Sequence, residues 1–150
     1  MPTRPNLAAL LNWIETSLRE AAWGPLLVLG IHVMLHVFNT YQRFPYLDLP
    51  MHFLGGVVIA FFFHRASINA SLLGITRPYQ SVRHRLFVFT STCTVAVSWE
   101  FSEFLTGWYS AGQTREGLND TIGDLFLGIV GCLFFIISAN RSRPTYPISD

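Results

Sequence analysis

Apolar positions dominate four long stretches of the chain, and polar positions concentrate in the segments between them. A membrane-spanning helix needs roughly 20 consecutive apolar residues, and about 17 are tolerated. The third and fourth stretches reach this length alone, whereas the first two reach it only with neighbouring residues. The pattern therefore predicts an all-α fold, a four-helix transmembrane bundle. The four stretches are residues 23–38, 49–63, 86–105 and 121–139.

A helical periodicity precedes the first stretch. Over residues 6–22 apolar residues recur every three or four positions, which is typical of an amphipathic helix lying on a membrane surface. Acidic residues interrupt this segment and no small-residue cleavage site follows, so we do not expect a signal peptide. The predicted organisation is an amphipathic N-terminal segment (1–22), a transmembrane domain (23–139) and a cytoplasmic tail (140–150). The apolar stripe contains Leu7, Leu10, Leu11, Ile14 and Leu18.

The arginines predict how the bundle is oriented. Positively charged residues are enriched in cytoplasmic loops, and eight of the ten arginines would lie on one side of a four-helix bundle. Both termini should therefore be cytoplasmic, in a multi-pass protein of the cell inner membrane. Arg43 and Arg115 fall in the two outer loops. The other eight are Arg4, Arg19, Arg65, Arg77, Arg83, Arg85, Arg141 and Arg143.

Composition supports a membrane protein and excludes other classes. Charged residues make up 13% of the chain, half the share that is usual in soluble domains, and the mean hydropathy is +0.38. A net charge of +1 gives no basis for nucleic-acid binding. Cys93 and Cys132 both lie in apolar stretches without CxxC spacing, so free thiols are expected. The expected partners are membrane lipids or other membrane protein subunits.

The ionisable residues of the apolar stretches all fall at the extracytoplasmic end of the predicted bundle. Residues i and i+4, or i and i+3, share one face of a helix, so these residues form one-sided pairs. Ionisable groups are costly at membrane depth and should face inward and pair. The four pairs are His32/His36, Asp48/His52, Glu100/Glu103 and Asp120/Asp124.

Small residues continue two of these faces. Gly55 and Gly56 follow His52, and Gly128 and Gly131 follow Asp124. Small residues let membrane helices approach closely. The second and fourth stretches should therefore touch, which would bring His52 near Asp124.

A crowded set of carboxylates needs compensation of its charge. Some carboxylates must be protonated, a metal must bind, or histidines must be charged. Histidine and carboxylate donors suit Zn, Mn or Mg. Simpler roles also exist: Asp120 and Asp48 could stabilise helix starts, and His32 and His36 could form interhelical hydrogen bonds. The candidate metal ligands are His52, Glu100, Glu103, Asp120, Asp124 and Asp48, and the candidate catalytic residues are Glu100, Asp124 and His52.

Three motifs carry a resemblance to known proteins. They are DLPMHFLGG at residues 48–56, WEFSE at 99–103 and DTIGD at 120–124. In this order they resemble VanZ-like membrane proteins, and most closely the YjdF-type inner-membrane family. The resemblance implies a small polytopic membrane protein, and the namesake of the group is associated with resistance to teicoplanin. It implies no particular reaction.

Two functions are the main hypotheses, and a third is weaker. One is a metal-dependent enzyme that acts on lipid head groups or lipid-linked phosphates, with a carboxylate as base. The alternative is a non-catalytic accessory or structural subunit of a larger membrane complex. Passage of ions is the weakest hypothesis, since only Ser91, Thr92 and Thr94 continue the polar path inward.

Overall fold

The computed structural model describes residues 6–76, 81–106 and 116–139, and nearly all of them are helical. The all-α prediction is thus confirmed, while the predicted tail at residues 140–150 lies outside the described residues. The helices are α1 (Leu7–Ala21), α2 (Trp23–Val37), α3 (Thr40–Arg43), α4 (Asp48–Leu72), α5 (Ser81–Thr106) and α6 (Glu116–Ala139). A 3₁₀ turn (Pro45–Leu47) leads into α4.

The number of candidate membrane spans is lower than the predicted four. Within the described ranges, Pro45–Leu72 and Asn119–Ala139 are long and apolar enough to cross a membrane. Helices α1 and α2 would give a third span if the two together were one membrane-spanning unit. The chain is bent by 56° between them. Alone, the 15 residues of α2 extend only about 22 Å, less than the roughly 30 Å of a hydrocarbon core. Length and composition therefore support two or three spans.

Helix α4 lies at the centre, and α6 packs against it in parallel through glycines. A Cβ atom at Gly56 would collide with the backbone of Gly128, and one at Gly131 with the carbonyl of Phe53. The contact that the glycine pattern predicts is thus present. Gly55 differs, because a Cβ there would meet nothing within 4 Å.

Helices α2 and α5 run antiparallel to α4. Gly24 near the start of α2 faces Val58, and His84 near the start of α5 contacts His64. The α4, α5 and α6 helices share a small buried core of Ala60, Val88 and Cys132. Both cysteines are free, as predicted.

Helix α1 packs on the C-terminal half of α4 through a face on which Ser17 and Ala21 are buried and Trp13 is half-buried. The indole nitrogen of Trp13 donates a hydrogen bond to the Ala66 carbonyl at 2.8 Å. The side chains of Asn69 and Arg65 donate hydrogen bonds to the Glu20 carboxylate. Four residues of the predicted apolar stripe are exposed, beginning with Leu7 at 71%, while Leu10 is half-buried. An exposed apolar stripe suits contact with lipid.

Candidate functional site

His52 lies in the second turn of α4 and is surrounded by carboxylates from three helices. Its Nε2 atom lies 3.5 Å from Asp48 Oδ1 and 3.7 Å from Asp124 Oδ1. Its Nδ1 atom lies 3.6 Å from Glu100 Oε1. These distances exceed those of good hydrogen bonds, so the groups face one another without direct bonding.

The ligand atoms are spaced closely enough to share a cation. One donor atom each from Asp48, His52 and Asp124 lie within 4.8 Å of one another, and the same holds for His52, Glu100 and Glu103. Two ligands at about 2.1 Å on opposite sides of an ion are about 4.2 Å apart, so small side-chain shifts would complete coordination. We call these five residues the His52 cluster and the end of the bundle that holds them the acidic end.

Two buried atoms of the cluster have no hydrogen-bond partner. They are Asp124 Oδ1 and His52 Nε2, the pair separated by 3.7 Å. Asp124 is only 4% exposed, so solvent water at the protein surface does not supply a hydrogen bond to its Oδ1 atom. A buried polar atom without a partner costs about 1–3 kcal/mol. The gap between the two atoms is therefore suited to a bound ion or ligand atom.

His32 of α2 joins the acidic end from the other side. Its Nε2 atom lies 3.3 Å from Glu103 Oε1, and its Nδ1 atom lies 3.0 Å from the Tyr41 hydroxyl. Burial raises the pKa of Tyr41, so its hydroxyl keeps its proton; which group donates in this hydrogen bond depends on the tautomer of the imidazole. The edge of the ring also contacts Trp99, with centroids 5.0 Å apart.

The structure brings together five of the six predicted ligands. Asp120 is exposed and belongs to neither group of ligand atoms. Because α6 begins at Glu116, Asp120 lies in the second turn and does not cap the helix. Asp48 lies in the first turn of α4, makes no cap hydrogen bond, and instead faces His52.

Sequence reasoning missed two residues that hold the site. Neither Tyr41 nor Trp99 was among the candidate site residues, yet both contact His32. Their contacts with His32 leave no signal in local spacing, because they depend on how α2, α3 and α5 meet. Arg115, which was predicted in an outer loop, lies outside the described residues.

No arginine forms an ion pair with the His52 cluster among the described residues. The ion pairs at the acidic end all use a histidine, and Arg65 and Arg19 pair elsewhere. The chain contains no lysine. Within the described part of the chain, the ion-pair contacts of these carboxylates are thus all with histidines.

A second polar group lies at the opposite end of α4. His84 Nδ1 and Ser67 Oγ are 2.8 Å apart, and His84 Nε2 and His64 Nδ1 are 2.7 Å apart. Each of these atoms has a partner, and the chain of hydrogen bonds joins α4 to α5. This arrangement has the character of interhelical bonding rather than of an open site.

Comparisons with known proteins place the chain among membrane proteins. No solved structure matches it. A Thermotoga maritima protein named only as uncharacterized is 30% identical over 112 residues, which cover 71% of this chain and 56% of that protein. The chain thus spans a little over half the length of this relative. The comparisons support a family of membrane proteins and do not single out the VanZ-like or YjdF-type groups that the motifs resemble. The model of the family described as "Predicted membrane protein (DUF2238)" matches residues 8–144, so the chain belongs to this family of membrane proteins.

Proposed function

We propose that this protein is a membrane enzyme that binds a divalent metal at the His52 cluster and acts on phosphate linkages of lipids. The observation that carries the proposal is the buried pair of Asp124 Oδ1 and His52 Nε2, which face each other without partners. A cation between them would satisfy both atoms. Asp48 Oδ1 lies 3.5 Å from the same Nε2 atom and would complete the ligand set, while Glu100 faces Nδ1 on the other side of the ring.

The chemistry of the donors limits the metal. Carboxylate oxygens with one imidazole suit Zn, Mn or Mg. The Glu100-x-x-Glu103 spacing lacks the Glu-x-x-His pattern of ferritin-like di-iron proteins, which disfavours that class. A bound metal would neutralise phosphate charge and polarise its oxygen. On the other side of His52, Glu100 would act as the base that accepts a proton from water.

Binding of metal by the wild-type protein tests the proposal. Protein stripped with a chelator should bind about one equivalent of Mn, Zn or Mg, measured by elemental analysis after gel filtration. At a metal concentration 100 times the Kd, the free energy of unfolding should rise by about 2.7 kcal/mol. The same metal should be required for release of phosphate or head groups from phospholipid vesicles. A protein that binds none of the three metals would refute the proposal.

We also propose that α5 crosses the membrane, which gives four spans with α2 extended by α1. The many hydroxyl groups of α5 lower its hydropathy, but they bond to carbonyls one turn earlier in the same helix. Such bonds let polar residues lie in a membrane without free donors. The donors include Thr90, Thr92, Thr94, Ser98, Ser102 and Thr106. Relationship to VanZ-like proteins is part of this proposal and is supported by the three motifs.

Labelling of single cysteines tests the orientation that the arginine bias predicts. Cys93 and Cys132 would first be replaced by Ala. Gln42→Cys, between α2 and α4, should then react with an impermeant maleimide in sealed inner-membrane vesicles only if the vesicles are right side out. Val82→Cys, at the start of α5, should react only in inverted vesicles. The reverse pattern would place the His52 cluster on the cytoplasmic side and contradict the predicted topology.

One observation favours the alternative function, a subunit of a membrane complex. Thr90, Thr94, Ser98, Ser102 and Thr106 form a stripe of exposed small residues along one side of α5. Such a stripe suits contact with another membrane helix. Under this alternative, Ser98→Leu should release a co-purifying protein, and the His52 cluster should bind no metal.

A further inference from the structure

A cleft bordered by α2, α4 and α5 leads from the His52 cluster toward the middle of the bundle. Its volume is about 110 Å³. His52, Glu100 and Asp124 lie at one end, and the remaining wall is mostly apolar, with Val28, Ile59 and Val95 on three different helices. Along α2 the lining residues extend seven positions, from residue 25 to residue 32, or about 11 Å. The cleft is therefore polar at one end and apolar along its length.

The packing of the helices leaves this cleft open sideways. Helices α2 and α5 both pack on α4 but make few contacts with each other. They meet at the acidic end, where His32 contacts Trp99 and Glu103. At the other end α2 closes on α4, where Gly24 packs against Val58. Between these two contacts the cleft faces the surroundings of the bundle, which in a membrane are hydrocarbon.

We infer that this cleft binds one hydrocarbon chain of a membrane lipid, whose phosphate end lies at the His52 cluster. The position of the phosphate rests on the proposed function; the position of the chain rests on the cleft. An apolar wall that opens to the bilayer is filled by hydrocarbon rather than water, because water there would lose hydrogen bonds. The substrate is thus an intact lipid that enters between α2 and α5, and not a water-soluble phosphate compound.

Two variants fill the cleft without changing the cluster, and each has a matched control. Gly55 lines the cleft, and a side chain there would extend into open space, so Gly55→Leu blocks it without a backbone collision. Gly30→Leu is the same change at an exposed glycine of α2 with open space around it. Val28→Trp also fills the cleft, and Leu27→Trp places the same bulk on the exposed side of α2.

The experiment uses a phosphatidylglycerol probe with a photoreactive diazirine part-way along one acyl chain, at a carbon that falls within the roughly 11 Å length of the cleft. The full-length protein is reconstituted in phosphatidylethanolamine vesicles with the probe, irradiated, digested and analysed by mass spectrometry. Adducts should concentrate on Val58, Ile59 and Val95. Gly55→Leu and Val28→Trp should lower these adducts at least about tenfold, since excluding even one methylene from an apolar pocket has such an effect. Gly30→Leu and Leu27→Trp should leave them unchanged.

The outcomes separate this inference from the proposed function. Adducts spread evenly over the exposed apolar residues, and unchanged by Gly55→Leu and Val28→Trp, would overturn the chain site whether or not metal binds. Metal content is measured on the same samples and should be unaffected by the two filling variants. Cleft adducts in a protein that binds no metal would support the chain site and refute only the metal. Competition by a lysophospholipid, but not by glycerol phosphate, would support an intact lipid; competition by glycerol phosphate alone would overturn it.

Discussion

Gly56→Ala should destabilise the protein strongly, although it adds only one methyl group. The added Cβ would collide with the carbonyl oxygen and carbon of Gly128. These are backbone atoms, so no side-chain rotation relieves the collision and α4 and α6 must separate. Overpacking of this kind costs about 3 kcal/mol or more. Gly131→Ala should have a similar effect, because its Cβ would meet the Phe53 carbonyl. The measurement is thermal unfolding in detergent.

Gly128→Ala is the matched control, since it changes the glycine directly opposite Gly56. A Cβ at Gly128 would lie 3.7 Å from the Ala96 Cβ and 3.9 Å from the His52 carbonyl oxygen, which are ordinary contact distances. The greater helix propensity of Ala, about 1 kcal/mol, should make this change neutral or slightly stabilising. Equal melting temperatures for Gly56→Ala and Gly128→Ala would show that the helices do not meet through these two residues as described.

The sequence predicted the centre of the molecule better than its edges. Helical spacing alone places Gly56 on the side of α4 that follows His52, and Gly128 on the side of α6 that follows Asp124. Helices with small residues on one face pack most closely when those two faces meet. The prediction that His52 lies near Asp124 is therefore confirmed, at 3.7 Å.

Helix lengths were harder to predict, because distant partners determine them. Helix α4 continues beyond residue 63 to Leu72, although Arg65 and Asn69 interrupt the apolar pattern. Both side chains reach Glu20 on α1, a pairing that no local pattern indicates. The bend between α1 and α2 is likewise a result of how α1 docks on α4.

The cleft could not be predicted for the same reason. Its apolar lining consists mainly of aliphatic residues and glycines of α2, α4 and α5, and only the gap between α2 and α5 makes them one surface. Gly55 shows how the position expected from sequence differs from the position in the structure. It was expected in the α4–α6 contact because it neighbours Gly56, but it is turned away from α6 and lines the cleft instead.

Asp124→Asn should abolish metal binding while leaving the metal-free protein as stable as before or more stable. The substitution keeps the volume of the side chain and removes its charge. A divalent ion needs deprotonated ligands, so loss of this carboxylate should lower metal affinity at least about 100-fold. In the absence of metal, the carboxylate is buried beside Asp48 and Glu100 without a hydrogen bond to its Oδ1 atom. Removing its charge should then leave the free energy of unfolding unchanged or raise it by up to about 2 kcal/mol.

Asp120→Asn is the matched control, because Asp120 lies one turn earlier on α6, is exposed and belongs to neither group of ligand atoms. It should bind metal like the wild type. Isothermal titration with Mn or Zn gives the metal affinity of each variant. Thermal unfolding in the presence of a chelator gives the stability of its metal-free form. The distinctive result for Asp124→Asn is lower metal affinity without lower stability of the metal-free protein. If the carboxylate only bonds helices together, its replacement should instead lower stability and leave metal content unchanged. That second pattern for Asp124→Asn would assign the residue to helix packing and support the non-catalytic subunit.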